Sequence, residues 1–269
     1  MQDDRAPWLA ARALVERLEQ RVPVAALGVR GSRSADIARI AHSSGHHALW
    51  VDLEHSTMPI DTAALICAAA LDLGLAPFVR IPEREYGVIG RLLDGGALGI
   101  IAPRVETVEQ ALEIIAACRF PPLGHRSAIA TLPHLNFERM PAAQFNQTLN
   151  HATVVKILLE SPRGIANAEA IAALPGVDLV GIGTNDLTAE MGVPGQFRHA
   201  DVRAAHETVI NACLRSGKPL AIGGIPDINY VSELIRLGAA PFMFTGIDTD
   251  LLLGAARERV SQAFASLNP

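Results

Sequence analysis

Val154–Glu190 reads VVKILLESPRGIANAEAIAALPGVDLVGIGTNDLTAE. It holds two apolar runs, Val154 to Leu159 and Leu179 to Gly183, separated by a stretch from Ile165 to Leu174 with the three- and four-residue apolar spacing of a helix face. Apart from Lys156, neither run is interrupted by a polar side chain. A strand reads this way when helices cover both of its faces and neither meets water. Parallel strands need such a crossover, so the stretch is predicted as strand, helix, strand in a parallel sheet.

Outward from this unit the same pattern recurs. Further apolar runs are Val22 to Gly28, Ala48 to Leu53, Ala76 to Ile81, Leu98 to Pro103, Leu220 to Gly224 and Pro241 to Thr245. Helical spacing lies between them at Ser34 to Ser43, Asp61 to Leu73, Val108 to Cys118, Val202 to Ser216 and Ile228 to Leu237, and Gly74, Gly217 and Gly238 follow three helical stretches as C-cap glycines do. Eight units in 269 residues suit a closed (β/α)8 TIM barrel better than an open doubly wound α/β sheet. No GxGxxG follows the first run, which lowers a dinucleotide reading further. The reading is a single barrel domain over residues 1–269, with 1–21 as an N-terminal capping helix centred on Ala10 to Gln20. The one long insertion, Phe120 to His151, is expected to be functional.

The composition is 49% hydrophobic and 19% charged, enough for a large buried core. A net charge of −5 gives no basic footprint for nucleic acid, and aromatics at 4% give no stacking platform. Cys67, Cys118 and Cys213 form no CxxC pair, which indicates neither a disulfide framework nor a zinc ribbon and suits a reducing cytoplasm. Acids stand in MQDDRAPWLA where a signal peptide carries basic residues, and no apolar run is long enough for a membrane span.

In a barrel of this kind the site is built where strands end. Four runs end in charge: the second in Asp52, Glu54 and His55, the third in Arg80, the fifth in Glu160, the sixth in Asp186. Any one of these acids also suits a helix N-cap. If Glu160 and Asp186 point into the mouth, they form a hard oxygen site of the kind Mg²⁺ or Mn²⁺ takes. Arg80 beside it would fork a carboxylate, and His55, three residues after Asp52, fits a general base held by that acid. His46 and His47 read as turn and strand-start residues, and His125 and His134 as loop residues.

VDLEH, FVRIP, LLDGGALGIIAPRVET, FPPLGHRS, ILLES, GIGTNDL and TGIDTDLL follow one another between Val24 and Leu253. In this order and spacing they resemble the HpcH/HpaI group of metal-dependent class II pyruvate aldolases. The resemblance implies that Glu160 and Asp186 hold a divalent cation (Mg²⁺, Mn²⁺ or Co²⁺), and that a bound 2-oxo acid completes the coordination. It implies that Arg80 contacts the enolate oxygen and the carboxylate, that the amides of Asn185 and Asp186 add donors, and that His55, oriented by Asp52, is the base. Asp94 matches a position near the aldehyde end of the substrate, across a subunit boundary, and Arg126 a position lining the mouth. The implied reaction joins the enolate of pyruvate or hydroxypyruvate to an aldehyde, or cleaves the 4-hydroxy-2-oxo acid that results. The family's barrels are homotrimers or homohexamers that pack the last helix on a neighbour, and the apolar stretch Leu251 to Leu267 is compatible with this.

Some positions depart from the family pattern. Leu158 stands where the family usually has a glutamine, Ala26 where it commonly has a tryptophan, and Ser127 in place of the second glycine of GxRG. Arg30 and Arg33, in RGSRS, read as solvated surface charge or as contacts to an acidic or phosphorylated aldehyde. Of 23 basic residues only Lys156 and Lys218 are lysines, and Lys218 falls on the face opposite the site. Lys156 shares a strand face with Glu160, so a Schiff-base mechanism is the rival enzyme reading, unless its head pairs with a carboxylate low in the barrel. Two further readings are a barrel that binds a 2-oxo acid without turnover and a CoA-ester lyase.

Overall fold

The eight apolar runs are strands of one parallel sheet: β1 (Val24–Val29), β2 (Ala48–Asp52), β3 (Ala76–Arg80), β4 (Gly99–Ala102), β5 (Val154–Leu159), β6 (Leu179–Gly183), β7 (Leu220–Gly223) and β8 (Phe242–Ile247). The computed structural model describes residues 6–267, so the first residues of the expected 1–21 cap lie outside the described residues. Each strand pairs with its sequence neighbour, and β1 pairs with both β2 and β8. β7 and β8 come side by side without a ladder, leaving a nearly closed barrel of the TIM type.

Helices alternate with the strands: α1 (Ala10–Glu19), α2 (Asp36–Ser43), α3 (Ile60–Asp72), α4 (Ile89–Asp94), α5 (Val108–Cys118), α6 (Ala142–Ala152), α7 (Pro162–Ala166), α8 (Ala168–Ala172), α9 (Thr184–Glu190), α10 (Ala200–Ser216), α11 (Ile228–Leu237) and α12 (Asp248–Ala265). The helix expected from Ile165 to Leu174 is instead two short ones. They meet at Asn167, whose side-chain amide donates to the carbonyls of Glu106 (2.7 Å) and Arg163 (3.2 Å).

Outward side chains such as Val51, Val79, Ile100 and Ile157 pack against the helices. Inward ones, including Ala26, Phe78, Ile101 and Leu158, fill the barrel. At the amino-terminal end of the strands α1 closes the interior with Ala11, Leu14, Val15 and Leu18, spaced for one helix face and all buried. Arg12 secures that plug by donating to Asp178 (2.8 Å) and to the carbonyl of Thr153 (3.1 Å).

The long insertion lies at this same closed end. Its first residue follows α5, and a chain leaving a barrel helix has returned to the side where strands begin. Arg119 donates to the carbonyl of Thr153 and to Asp178, and His134 Nε2 to the carbonyl of Ala97 at 3.1 Å. Thr153 and Asp178 immediately precede β5 and β6, and Ala97 stands two residues before β4. The segment has its own small core of Phe120, Leu132, Phe145 and Leu149, with α6 inside what the sequence presents as loop.

The last helix behaves differently from the rest. α12 contacts β1 and β8 at its start and then leaves the barrel, with Leu252 73% and Phe264 64% exposed, and Leu267, just past its end, 74%.

Candidate active site

Pairing register places Asp52 beside Arg80 at the carboxyl ends of β2 and β3. The fully buried Asp52 carboxylate takes Arg80 in a fork, Nε to Oδ1 at 3.0 Å and Nη2 to Oδ2 at 2.7 Å. Oδ1 also accepts the backbone N–H groups of Glu54 (3.1 Å) and His55 (3.2 Å), and Oδ2 accepts Arg30 Nε (3.2 Å). Burial pushes the Asp52 carboxyl up, but the Arg80 guanidinium, the His55 amide and Arg30 outweigh it and hold the group below its ordinary range. Arg80 continues through Nη1 to Glu54 at 3.1 Å, and its guanidinium lies 4.9 Å from the Trp50 ring.

This corrects one expectation from the sequence. Asp52 holds the backbone of His55, not its imidazole. Both carboxylate oxygens are occupied by Arg80, Arg30 and main-chain donors, and His55 Nε2 sits instead 3.7 Å from Glu54 Oε2 with its side chain half exposed. Glu54, a strand-end charge without an expected role, is the carboxylate that joins Arg80 to His55. Burial raises the Glu54 carboxyl, and the Arg80 charge opposes that rise.

Glu160 ends the neighbouring layer. It is 3% exposed, and its Oε2 accepts the backbone N–H of Arg104 at 3.0 Å. Arg104 has φ 51°, the left-handed turn that aims this amide inward. A Cβ at Gly183 would stand 2.1 Å from Glu160 Oε1, so glycine at the end of β6 is what gives the carboxylate its space. Burial, then the charges of Glu54 and Asp186, push the Glu160 carboxyl up to about 8.

Neither Glu160 nor Asp186 is spent on capping. Ser161 caps α7 by accepting from Gly164 N–H at 3.1 Å, and α9 starts after Gly183 without a side-chain cap. Asn185 and Asp186 lie in the first turn of α9, where backbone N–H groups have no partner within the helix. Thr184 anchors that turn: its hydroxyl is 3.1 Å from His206 Nε2, and His206 Nδ1 is 3.3 Å from the Tyr230 hydroxyl. No sequence pattern points to this buried trio.

Among the described residues no three His, Cys, Asp or Glu side chains converge as a complete ion cage. Glu160 and Asp186 nevertheless fit a divalent cation. They offer two hard oxygen donors and leave places for water and a chelating ligand, and the charges of Glu54 and Asp186 add to the cost of ionising Glu160, which a dication offsets.

The remaining expected residues separate. Asp94 ends α4 ahead of β4 and pairs with Arg126 at 2.8 Å, with Arg126 stacked 4.5 Å over Phe120. Within one chain both lie at the closed end, so Arg126 does not line this chain's own mouth; the physical reason is the return of the post-α5 segment to the strand starts. Lys156 is 2% exposed in the barrel floor, and no carboxylate pairs with it among the described residues. Its Nζ lies 5.0 Å from the Phe242 ring and 4.8 Å from the Phe244 ring. Burial, with the Arg80 charge adding to it, pushes the ammonium down to about 7.

Acids and an arginine gathered at the carboxyl ends of eight parallel strands are the arrangement from which a (β/α)8-barrel enzyme builds its site. The chain belongs to the HpcH/HpaI aldolase/citrate lyase family, whose model matches residues 30–255. It is 37% identical over 234 residues to a 4-hydroxy-4-methyl-2-oxoglutarate aldolase of Chaetomium globosum, covering 86% of this chain and 87% of that one. It is 33% identical to a hydroxypyruvate/pyruvate aldolase of Chromohalobacter salexigens, covering 84% and 87%. The solved structure of an HpcH/HpaI aldolase from Desulfitobacterium hafniense matches with a TM-score of 0.85 at 26% identity, over 93% of this chain and 96% of that one. The relatives are carbon–carbon lyases, and so is this chain.

Proposed function

We propose that the chain is a divalent-metal-dependent aldolase that makes or cleaves the bond between the enolate carbon of pyruvate or hydroxypyruvate and a carbonyl acceptor, acting on 4-hydroxy-2-oxo acids. The observation that carries this is the Asp52, Arg80 and Glu54 chain of charge-assisted bonds set over Glu160 and Asp186. A divalent cation, when bound by Glu160 and Asp186, supplies positive charge beside the keto oxygen of the substrate.

The chain's own residues supply the rest. Arg80, held by Asp52, aims its guanidinium at the oxygen that becomes the enolate, so the donor is already in place as charge develops. The amides of Asn185 and Asp186 add donors for the substrate carboxylate. In cleavage, His55 Nε2 takes the proton of the 4-hydroxyl, the bond between C3 and C4 breaks, its electron pair passes to the enolate, and the acceptor leaves as a neutral carbonyl. Glu54 lies beside His55 and Arg80 and steadies the imidazolium that results. The enolate then takes a proton at C3.

Lys156 supports no rival step in this reading: it lies below the site, between two phenyl rings. The test is exchange of pyruvate methyl protons in D₂O and cleavage of 4-hydroxy-2-oxo acids, with and without EDTA. Metal-restored activity is the expected result. Borohydride trapping of pyruvate on Lys156 would replace this mechanism with a Schiff base, and binding without exchange or cleavage would leave a 2-oxo-acid-binding barrel.

We also read α12 as an element of a homotrimer or homohexamer, with its exposed Leu252, Leu253, Val260 and Phe264 packed on a neighbouring subunit. In such an assembly Asp94 and Arg126 of one chain can serve the mouth of another, and light scattering showing a monomer overturns this. The three buried free thiols support a reducing, cytoplasmic setting.

A further inference from the structure

Arg30 follows β1, and the register Val29 to Val51 brings it abreast of Asp52 at the mouth. Its loop is fastened from two sides. Asp248, at the start of α12, accepts the backbone N–H groups of Arg30 (2.9 Å), Gly31 (3.0 Å) and Ser32 (2.6 Å). Arg33 Nη1 donates to the carbonyls of Arg30 (2.8 Å), Gly31 (2.8 Å) and Ser32 (3.2 Å). Arg30 is therefore presented by a built loop, and its Nε is fixed on Asp52 Oδ2 at 3.2 Å.

The other guanidiniums around the mouth have other work, Arg80 being turned by its acidic partners toward the donor half of the substrate. Arg80 spends Nε and Nη2 on Asp52 and Nη1 on Glu54, Arg104 pairs with Glu190, and Arg33 serves its own loop. Among the described residues the two Nη groups of Arg30 make no hydrogen bond, and the side chain is about one-third exposed, at 32%. A planar pair of free N–H donors in a partly desolvated place is a carboxylate fork waiting for its ligand. Because Arg30 and Arg80 flank one carboxylate, a substrate whose first carboxylate lies toward Arg80 and α9 meets Arg30 with its acceptor-derived half.

We propose that Arg30 determines the acceptor: it binds the carboxylate of an acceptor that is itself a 2-oxo acid, so the enzyme joins two 2-oxo acids in preference to a 2-oxo acid and a neutral aldehyde. This rests on the aldolase reading above and names its substrate class. In the synthetic direction the enolate C3 bonds to C2 of the second 2-oxo acid, the electron pair of that C=O takes a proton, and a tertiary alcohol carrying a carboxylate results. Nothing is oxidised or reduced. Cleavage runs the same bonds backwards, from a dicarboxylic 4-hydroxy-2-oxo acid to two 2-oxo acids.

The experiment compares kcat/KM for cleavage of 4-hydroxy-4-methyl-2-oxoglutarate with that for 4-hydroxy-2-oxopentanoate, which lacks the second carboxylate, in the metal-loaded wild type, Arg30→Met and Arg30→Lys. The wild type is expected to favour the dicarboxylate. Arg30→Met lowers that preference by about 10- to 100-fold, the worth of a charged hydrogen-bond pair, chiefly through KM, and Arg30→Lys restores part of it. A wild-type preference for the monocarboxylate, or equal losses on both substrates in Arg30→Met, overturns the proposal; equal losses would mean that Arg30 acts only by holding Asp52. Pyruvate proton exchange in D₂O by the wild type reports the donor half alone. Exchange without the acceptor preference refutes the Arg30 assignment and spares the aldolase reading, whereas absence of exchange refutes the aldolase reading itself.

Discussion

Replacing Lys156 with methionine should stabilise the protein, and should do so by an amount that depends on pH. The ammonium is buried in the barrel floor against Phe242 and Phe244, and burial pushes it from 10.5 to about 7. The unfolded chain keeps the ordinary value. Above 10.5 both states carry the neutral amine and the lysine costs nothing electrostatically. As pH falls toward 7 the unfolded state binds a proton that the folded state refuses, so stability is lost, and below about 7 the loss is complete. At about 1.4 kcal/mol per pH unit the full interval corresponds to roughly 4 to 5 kcal/mol. Methionine matches the length of the stem and removes the charge, leaving a small constant packing difference. The advantage of Lys156→Met over wild type should therefore shrink from roughly 4 kcal/mol at pH 7 to roughly 1 kcal/mol at pH 9.5. Urea denaturation of both proteins at equal concentration over that range measures it, since the other titrating groups cancel in the difference. A difference that does not change with pH would mean that Lys156 is solvated or paired, and the dry-floor reasoning would fail. Retained aldolase activity in Lys156→Met is expected as well, because the lysine sits beneath the reacting groups.

Arg80→Lys keeps the charge but not the fork to Asp52 and the link to Glu54, and should lower kcat/KM on the order of 10²-fold or more, read in steady-state cleavage assays. Mn²⁺ should raise the melting temperature of the wild type in differential scanning fluorimetry, and Glu160→Gln should abolish that upshift, because one of two protein donors to the cation has gone. Asp52→Asn turns an amide N–H₂ toward the Arg80 guanidinium and should destabilise by about 1 to 3 kcal/mol in chemical denaturation. His55→Ala should cost roughly 10²- to 10⁴-fold in kcat. Since Glu54 and not Asp52 neighbours the imidazole, Glu54→Gln should lower kcat more than it raises KM in steady-state cleavage assays, and an unchanged kcat would refute that pairing.

Much of the site is legible in the sequence because its residues end strands. Glu160 and Asp186 terminate apolar runs, and both are excused from capping because Ser161 and the backbone after Gly183 take over those ends. Arg30 reads as surface charge because RGSRS looks like a polar turn; its contact with Asp52 arises from the β1 to β2 register, which no local pattern encodes. The His206 and Tyr230 pair behind Thr184 leaves no trace in the sequence, since a buried histidine on a helix reads like any other polar interruption. Length alone suggests a functional insertion after α5, and connection order puts that insertion at the end of the barrel away from the mouth.

The sequence alone determines the alternation of strand and helix, and with it the eight-stranded barrel, because hydrophobic periodicity is a local property set by which faces of each element are buried. It also determines which charged residues reach the strand ends. Only the tertiary structure decides who pairs with whom: that Asp52 grips Arg80 and leaves His55 to Glu54, that Lys156 rests on phenyl rings in place of a carboxylate, and that Asp94 and Arg126 sit at the closed end. Those partners come from different units of the chain, and their distances follow from strand register and barrel closure, which summed long-range packing sets.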